Sequence, residues 1–167
     1  MIKDVLLLCM VCSYLFPIYT VYTRYIDSFS ISSIVCSEDC NKDVMSWMII
    51  MGGFTILYEV VRNDNISTIL ILSLLLGIAG VLNTREDSKM HVVSSIVAFG
   101  SIILFMYYFS SMYDDKILKL LFYLQILFYL QILFGIMSIL FIKTNIFYSE
   151  VLSLLNFATF YVYLHIK

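Results

Sequence analysis

The segment Leu121–Phe134, LFYLQILFYLQILF, lies within a run from Ile117 to Ile142 whose only charged residue is Lys119. A helix needs about 20 mostly apolar residues to cross a bilayer core of about 30 Å. The run has 26 residues, which would form a helix of about 39 Å at 1.5 Å per residue. This stretch therefore predicts a transmembrane helix that is longer than its neighbours.

The same segment contains one hexapeptide twice, because FYLQIL occupies residues 122–127 and again residues 128–133. Six residues turn a helix by about 600°, so Gln125 and Gln131 cannot lie on one face. Gln131 aligns with Gly135 and Ser138 and is expected to pack in the bundle, whereas Gln125 points toward the cytosolic interface or another helix. We interpret the repeat as a tandem duplication without chemistry of its own.

The composition of the whole chain extends this prediction. Of 167 residues, 62% are hydrophobic and 13% are charged, whereas soluble domains are about half apolar and about a quarter charged. Backbone groups in lipid must be satisfied within each segment, which favours helices. We therefore predict an all-α transmembrane bundle forming a single domain, with a polar loop at 23–45. Its six spans are predicted at about residues 5–22, 46–61, 66–82, 92–113, 117–142 and 146–164.

Several functional classes are disfavoured by the sequence. The net charge is −2 and no cluster of Lys and Arg is present, so nucleic acid is not an expected partner. No H-E-x-x-H, G-x-S-x-G or P-loop pattern occurs, and His91 and His165 are the only histidines. We predict no enzymatic activity, no cofactor and no metal site. The expected partners are the lipid bilayer and other membrane proteins.

The predicted polar loop contains two cysteines, Cys36 and Cys40, in the sequence CSEDC. On a luminal or extracellular side they could form a disulfide, whereas a cytosolic loop would keep them as free thiols. We favour the disulfide, which would place both termini in the cytosol. A C-x-x-x-C pair alone is too sparse for a zinc site, which needs four ligands.

Polar residues inside predicted spans are candidate functional positions. Glu59 precedes Arg62 by three residues, a spacing that makes them helical neighbours. They are expected to form an interfacial ion pair, and the alternative is a carboxylate lining a proton or cation path. In the last span, Glu150 lies near the start, and Asn156 is expected to share with Ser153 a polar face that packs against another helix.

The fourth predicted span begins with a histidine. His91, Ser94, Ser95 and Ala98 lie at helical spacing and share one face. A histidine at a helix start is expected to be a hydrogen-bonded anchor rather than a metal ligand. We expect this face to point into the bundle.

The segment Leu82–Tyr108, LNTREDSKMHVVSSIVAFGSIILFMYY, resembles the middle of the Frag1/DRAM/Sfk1 family of six-span membrane proteins. In that family the fourth span begins with a His, followed by a Gly-Ala-like pair and a Phe. The matching positions here are His91, Ser94, Ser95 and Phe99, with Ser in place of both small residues. The resemblance implies a non-enzymatic protein of an endomembrane or the plasma membrane that organises or senses lipids or acts as a scaffold.

Two alternatives remain open at this level. The chain is rich in Ile, Phe, Tyr and Met and poor in Ala, Gly, Pro and Arg, as expected from AT-rich coding sequence. A structural protein in the internal virion membrane of a large DNA virus would fit that usage. The other alternative is a small channel or transporter, which would require Glu59, His91, Glu150 and Asn156 to converge on one cavity.

Overall fold

A computed structural model describes residues 2–24, 30–35, 41–85, 87–139 and 146–166. Every regular element in these ranges is a helix, so the all-α prediction is confirmed. The helices are α1 (Ile2–Arg24), α2 (Ile31–Val35), α3 (Asn41–Arg62), α4 (Asn65–Leu82), α5 (Lys89–Tyr113), α6 (Lys116–Ile139) and α7 (Phe147–Ile166).

The six long helices form a closed ring. Each one packs against the next long helix along the chain, from α1 through α3, α4, α5 and α6 to α7, and α7 packs back against α1. The main core contains large side chains from most of these helices, including Met10, Ile71, Phe105, Phe109 and Phe160, all nearly inaccessible to solvent. The ring therefore encloses one main apolar core, and a smaller cluster forms around Ile34, Phe147 and Val151.

The outer surface of the ring is apolar as well. Ile49 on α3, Leu76 on α4 and Ile96 on α5 are 70%, 72% and 65% exposed. Large apolar side chains are therefore exposed on at least three of the long helices.

Within the described residues, three helices are long and apolar enough to cross a membrane, rather than the six predicted. They are α4, α5 and Lys116–Ile136 of α6. Helix α7 falls short because Glu150, Asn156 and His165 lower its mean hydropathy. Helices α1 and α3 each include side chains outside the described part of the chain.

Capping residues set the ends of the apolar helices. Helix α3 ends at Arg62, Asn63 adopts a left-handed backbone (φ 61°), and Asp64 accepts a bond from the Ser67 amide at 3.1 Å as N-cap of α4. The polar sequence VRNDN at residues 61–65 thus holds a tight turn between α3 and α4. Ser88 caps α5 in the same way, accepting from the His91 amide at 3.1 Å.

The predicted polar loop at 23–45 is partly helical, which corrects its boundaries. Helix α2 lies within it, and α3 begins at Asn41, five residues before the predicted span. A helix continues beyond its apolar segment because its backbone hydrogen bonds do not depend on side-chain polarity. Ser30 and Ser33 form a reciprocal capping box for α2, with bonds of 3.0 and 3.2 Å.

Helix α6 is continuous over 24 described residues, as predicted. The prediction that it is longer than its neighbours depends on residues 140–142, which lie outside the described part of the chain. The two copies of the hexapeptide have different environments: Gln125 is fully buried and Gln131 is exposed. The Ser149 hydroxyl of α7 donates to Gln131 Oε1 at 3.5 Å, so Gln131 contacts a neighbouring helix but is not buried in the bundle as predicted. The buried glutamine is the one in the first copy.

Helices α4 and α5 approach each other closely because glycines face the contact. A Cβ added at Gly77 would lie 2.5 Å from the Ala98 backbone nitrogen, and one at Gly80 would collide with the Ser94 hydroxyl. Small residues at these positions allow the two backbones to meet. The Ser101 hydroxyl also donates to that of Ser73 at 2.9 Å across the same contact.

Candidate functional site

A deeply buried carboxylate lies on α3. Glu59 is 1% exposed, and the hydroxyl of Tyr161 on α7 donates a hydrogen bond to its Oε1. Its other oxygen, Oε2, has no hydrogen-bond partner within the described residues. A buried polar atom without a partner costs about 1–3 kcal/mol, so this position is unusual.

Arg62 lies one turn after Glu59 and connects three elements. Its Nη1 lies 3.9 Å from Glu59 Oε1 and 2.9 Å from the Ser67 hydroxyl on α4. Its Nη2 donates to Asp64 Oδ2 at 3.0 Å. The guanidinium also lies over the Phe109 ring of α5, 5.3 Å from its centroid.

The same guanidinium fixes the state of His165 near the end of α7. Arg62 Nη1 lies 2.6 Å from His165 Nε2, and a guanidinium can only donate. Nε2 is therefore the acceptor, and the ring proton lies on Nδ1, which donates to the Tyr161 carbonyl at 2.5 Å. The His165 ring is neutral in this arrangement and stacks on Tyr161 with centroids 4.2 Å apart.

The expected interfacial ion pair of Glu59 and Arg62 is thus present, but it is buried rather than exposed. Arg62 is 16% exposed, and both partners make bonds to α7. Charges removed from water need partners and hydrogen bonds to offset their lost solvation. Glu59 receives such a bond from Tyr161, and Arg62 donates to His165 and Asp64. Glu59 Oε2 has no partner among the described residues.

A largely apolar cavity of about 590 Å³ lies beside this network, between α1, α3 and α7. Its wall includes Tyr14, Thr55, Leu155 and Ala158, together with Tyr161. Tyr161 therefore faces the cavity and bonds Glu59 as well. Thr55 lies four residues before Glu59, a spacing that puts both on one face of α3.

A second cavity of about 530 Å³ continues along the same pair of helices. It is lined by α1 and α7 alone, and it shares Leu15 and Leu155 with the first cavity. The two spaces therefore form an extended apolar groove between α1 and α7. Tyr22 and Tyr148 line its far end, with ring centroids 6.4 Å apart.

Asn156 lies in a different place, at the contact of α6 and α7. It donates to the Leu121 carbonyl at 2.9 Å and to Gln125 Oε1 at 2.8 Å. Gln125 in turn donates to the Ser153 hydroxyl at 2.6 Å. The prediction that Asn156 and Ser153 face another helix through hydrogen bonds is confirmed.

The serine face of α5 also points inward. His91, Ser94 and Ala98 are buried, and Ser95 is half-buried. His91 Nδ1 lies 3.4 Å from the Thr84 hydroxyl, just after α4. His91 is thus a hydrogen-bonded anchor at the α4–α5 turn, as expected from its position.

Glu150 anchors the short helix α2. Its Oε2 accepts a bond from the Ile31 amide at 2.6 Å, and the residue is 9% exposed. The carboxylate binds a free amide at the start of α2 and ties that helix to α7. Cys36 and Cys40, the predicted disulfide, lie outside the described residues.

The four polar candidates do not meet in one cavity within the described part of the chain. Glu59 bonds Tyr161, His91 contacts Thr84, Glu150 holds α2, and Asn156 bonds α6. Three of the four hold helices together. Only the Glu59 network combines an unpartnered buried atom with a neighbouring cavity.

Sequence reasoning missed the partners that make this site. Tyr161 and His165 were not identified, although their spacing of four residues places them on one face of α7. Gln125 was assigned no specific partner, yet it is fully buried. Aromatic and histidine side chains at such spacing usually belong to a core, so the pattern alone does not single them out.

Comparison with protein-family models, with curated proteins and with solved structures gives no match for this chain.

Proposed function

We propose that this chain is a non-enzymatic, six-span membrane protein that binds and organises membrane lipids. The observation that carries this proposal is the apolar cavity of about 590 Å³ between α1, α3 and α7, next to the buried Glu59 network. An apolar cavity with few polar positions on its wall is complementary to a hydrocarbon chain. The Frag1/DRAM-like resemblance of Leu82–Tyr108 agrees with this function.

The dimensions and lining of the cavity support an acyl chain as its occupant. Small-molecule sites measure about 300–1,000 Å³ and are lined mainly by apolar side chains with few polar groups. The wall includes Met10, Leu15, Leu155 and Ala158, with Thr55 among its few polar positions. The continuation of this space along α1 and α7 suits an extended hydrocarbon chain.

The ring of six long helices supports the multi-pass arrangement. Each helix places large apolar side chains on the outside, with Leu8 on α1 and Leu152 on α7 at 63% and 47% exposure. Helices α1 and α7 border the groove, so a bilayer around them would bring lipid chains to its rim. The polar residues of α7 face inward, where Asn156 and Glu150 have partners.

Photocrosslinking tests the proposal on the purified full chain in nanodiscs. A phosphatidylcholine with a mid-chain diazirine should label the α7 peptide 155–163 and the α1 peptide 10–15. Ala158→Phe places a ring in the cavity and should abolish most of this labelling. Ala79→Phe, the same substitution at an exposed site on α4, should leave it unchanged. Equal labelling of all three proteins would contradict a cavity that holds a lipid chain.

A further inference from the structure

We propose that the contact between Arg62 and His165 is a pH-sensitive switch, which holds the end of α7 against α3 and opens when the His165 ring gains a proton. The last residues of α7 form part of the cavity wall, through Tyr161, Tyr163 and Ile166. Opening of the contact needs no bound lipid, whereas its effect on the occupancy of the cavity rests on the proposed lipid-binding function.

The hydrogen bonds of the neutral His165 ring leave no site for a second proton. Nδ1 carries the ring proton and donates to the Tyr161 carbonyl at 2.5 Å. A second proton can bind only at Nε2, which accepts from Arg62 Nη1 at 2.6 Å. Because a guanidinium has no acceptor, protonation of Nε2 would bring two donors and two positive charges into contact. The ring and the guanidinium must then separate.

The carboxylates near this contact are placed on the arginine rather than on the histidine. Glu59 Oε1 lies 3.9 Å from Arg62 Nη1, and Asp64 Oδ2 lies 3.0 Å from Arg62 Nη2. The Asp64 side chain is 34% exposed, so water screens its charge. Neither carboxylate bonds the His165 ring, and a protonated ring would therefore have no counter-ion of its own at this place.

The neighbouring elements place their nearest acidic groups on other residues. Asp4 of α1 exerts its charge on Tyr58 rather than on His165. Asp115, just before α6, lies 3.4 Å from the hydroxyl of Tyr163. Arg62 therefore remains the charge closest to the ring within the described part of the chain.

The pH range of the switch follows from the surroundings of His165, which lies one residue beyond the last predicted span. Burial of the ring, aided by the charge of Arg62, lowers the pKa of His165 from 6.5 to about 4. Between these two values the opened or unfolded chain binds a proton that the closed chain does not bind. The stability that depends on the neutral ring is thus fully present above pH 6.5 and declines as the pH falls toward 4.

Separation of the ring from Arg62 would free the last residues of α7. The His165 ring stacks on Tyr161, with centroids 4.2 Å apart, and meets Tyr58 of α3 edge to face at 5.1 Å. Little else holds this end of α7 against α3, because α3 packs mainly on α1 and α4. Tyr161 lines the cavity, so loss of these contacts should open the cavity wall.

Hydrogen exchange of the purified full chain in nanodiscs tests the switch itself. The readout is the protection of amides 161–166, corrected for the intrinsic effect of pH on exchange. In the wild-type protein this protection should be about tenfold lower at pH 5 than at pH 7.5, because protonation favours the open state. His165→Gln should remove this difference, since an amide oxygen can accept from Arg62 but does not titrate.

His91→Gln is the matched control, because His91 is the other histidine of the chain and contacts Thr84 at the α4–α5 turn. This variant should keep the pH dependence of amides 161–166. The phosphatidylcholine probe with a mid-chain diazirine then tests the effect on the cavity. Labelling of peptide 155–163 should fall from pH 7.5 to pH 5 in the wild type and in His91→Gln, and it should stay constant in His165→Gln.

The outcomes separate the switch from the proposed function. Protection that is independent of pH in the wild type, or a pH dependence that survives in His165→Gln, would overturn the switch and leave lipid binding in place. Labelling that does not change with pH would overturn the effect on the cavity. Absence of labelling at both pH values would overturn lipid binding, and hydrogen exchange would still decide the switch. If His165→Gln does not fold, the wild type and His91→Gln decide, because the chain has no third histidine.

Discussion

The hydroxyl of Tyr161 on α7 donates a hydrogen bond to Glu59 on α3, across 102 residues of sequence. Backbone packing between these two helices is slight, because α3 packs mainly on α1 and α4. Much of the contact between α3 and α7 therefore comes from side-chain hydrogen bonds, which join Glu59 to Tyr161 and Arg62 to His165. Point substitutions that remove single hydrogen-bonding groups test how much this contact contributes to the free energy of unfolding.

Tyr161→Phe removes the hydroxyl and leaves the ring in place. Glu59 would then be buried without the donor to Oε1, and we expect a loss of about 1–3 kcal/mol in the free energy of unfolding. Thermal unfolding in detergent measures this change. Tyr163→Phe is the matched control, because its hydroxyl lies 3.4 Å from Asp115 at a half-buried position. An equal effect of both variants would contradict a special role for the Tyr161 bond.

Arg62→Lys tests the forked geometry of the guanidinium. Arg62 bonds Asp64 through Nη2 and Ser67 and His165 through Nη1, and a single ammonium cannot reproduce this planar arrangement. We expect a lower melting temperature and a loss of about 1.5–3 kcal/mol, the range for hydrogen bonds to charged groups. Arg85→Lys, at an exposed position, should unfold like the wild type. Retention of full stability in Arg62→Lys would show that charge alone suffices.

Gly77→Ala tests the close approach of α4 and α5. The added methyl group would meet the Ala98 backbone, and overpacking of this kind costs about 1–3 kcal/mol. Gly53 is also inside a helix, but a Cβ there meets nothing within 4 Å. Gly53→Ala should therefore be neutral or stabilising by about 0.4–1 kcal/mol. Both effects are measured by thermal unfolding, and a reversed order would contradict the helix contact.

The repeated hexapeptide supplies its own control. Gln125 is buried between Asn156 and Ser153, and its counterpart Gln131 is exposed. Gln125→Leu leaves Asn156 with one bond fewer and should cost about 0.6–1.7 kcal/mol, the range measured for polar contacts in membranes. Gln131→Leu should have little effect. Equal losses in melting temperature would show that both copies make specific contacts.

A double-mutant cycle measures the coupling between Gln125 and Asn156. Asn156→Leu alone leaves the Gln125 carbonyl oxygen without this donor. Replacing both residues leaves neither atom of this bond unpaired, whereas the Ser153 hydroxyl and the Leu121 carbonyl lose a partner once each, in the double as in the single variants. The loss in free energy of unfolding in the Gln125→Leu/Asn156→Leu double variant should therefore be smaller than the sum of the two single losses. Simple additivity would argue against the bond.

Regular patterns in the sequence predicted the helices well where local interactions decide the structure. The inward face of His91 and Ser94 and the polar face of Asn156 both follow from residue spacing along a single helix. The boundaries of α4 and α5 lie within about three residues of prediction, because caps and apolar periodicity are local signals. The helical parts of the predicted 23–45 loop were missed because polarity does not exclude a helix.

The sequence by itself determined the all-α class of this protein, since apolar segments of this length favour helices that satisfy their own backbone hydrogen bonds. Only the tertiary structure decided which polar residues meet. Rotation of each helix about its axis depends on contacts with its neighbours, and this rotation buried Gln125 rather than Gln131. It also joined Glu59 to Tyr161, because α7 closes the ring against α1 near α3, a contact that no local pattern encodes.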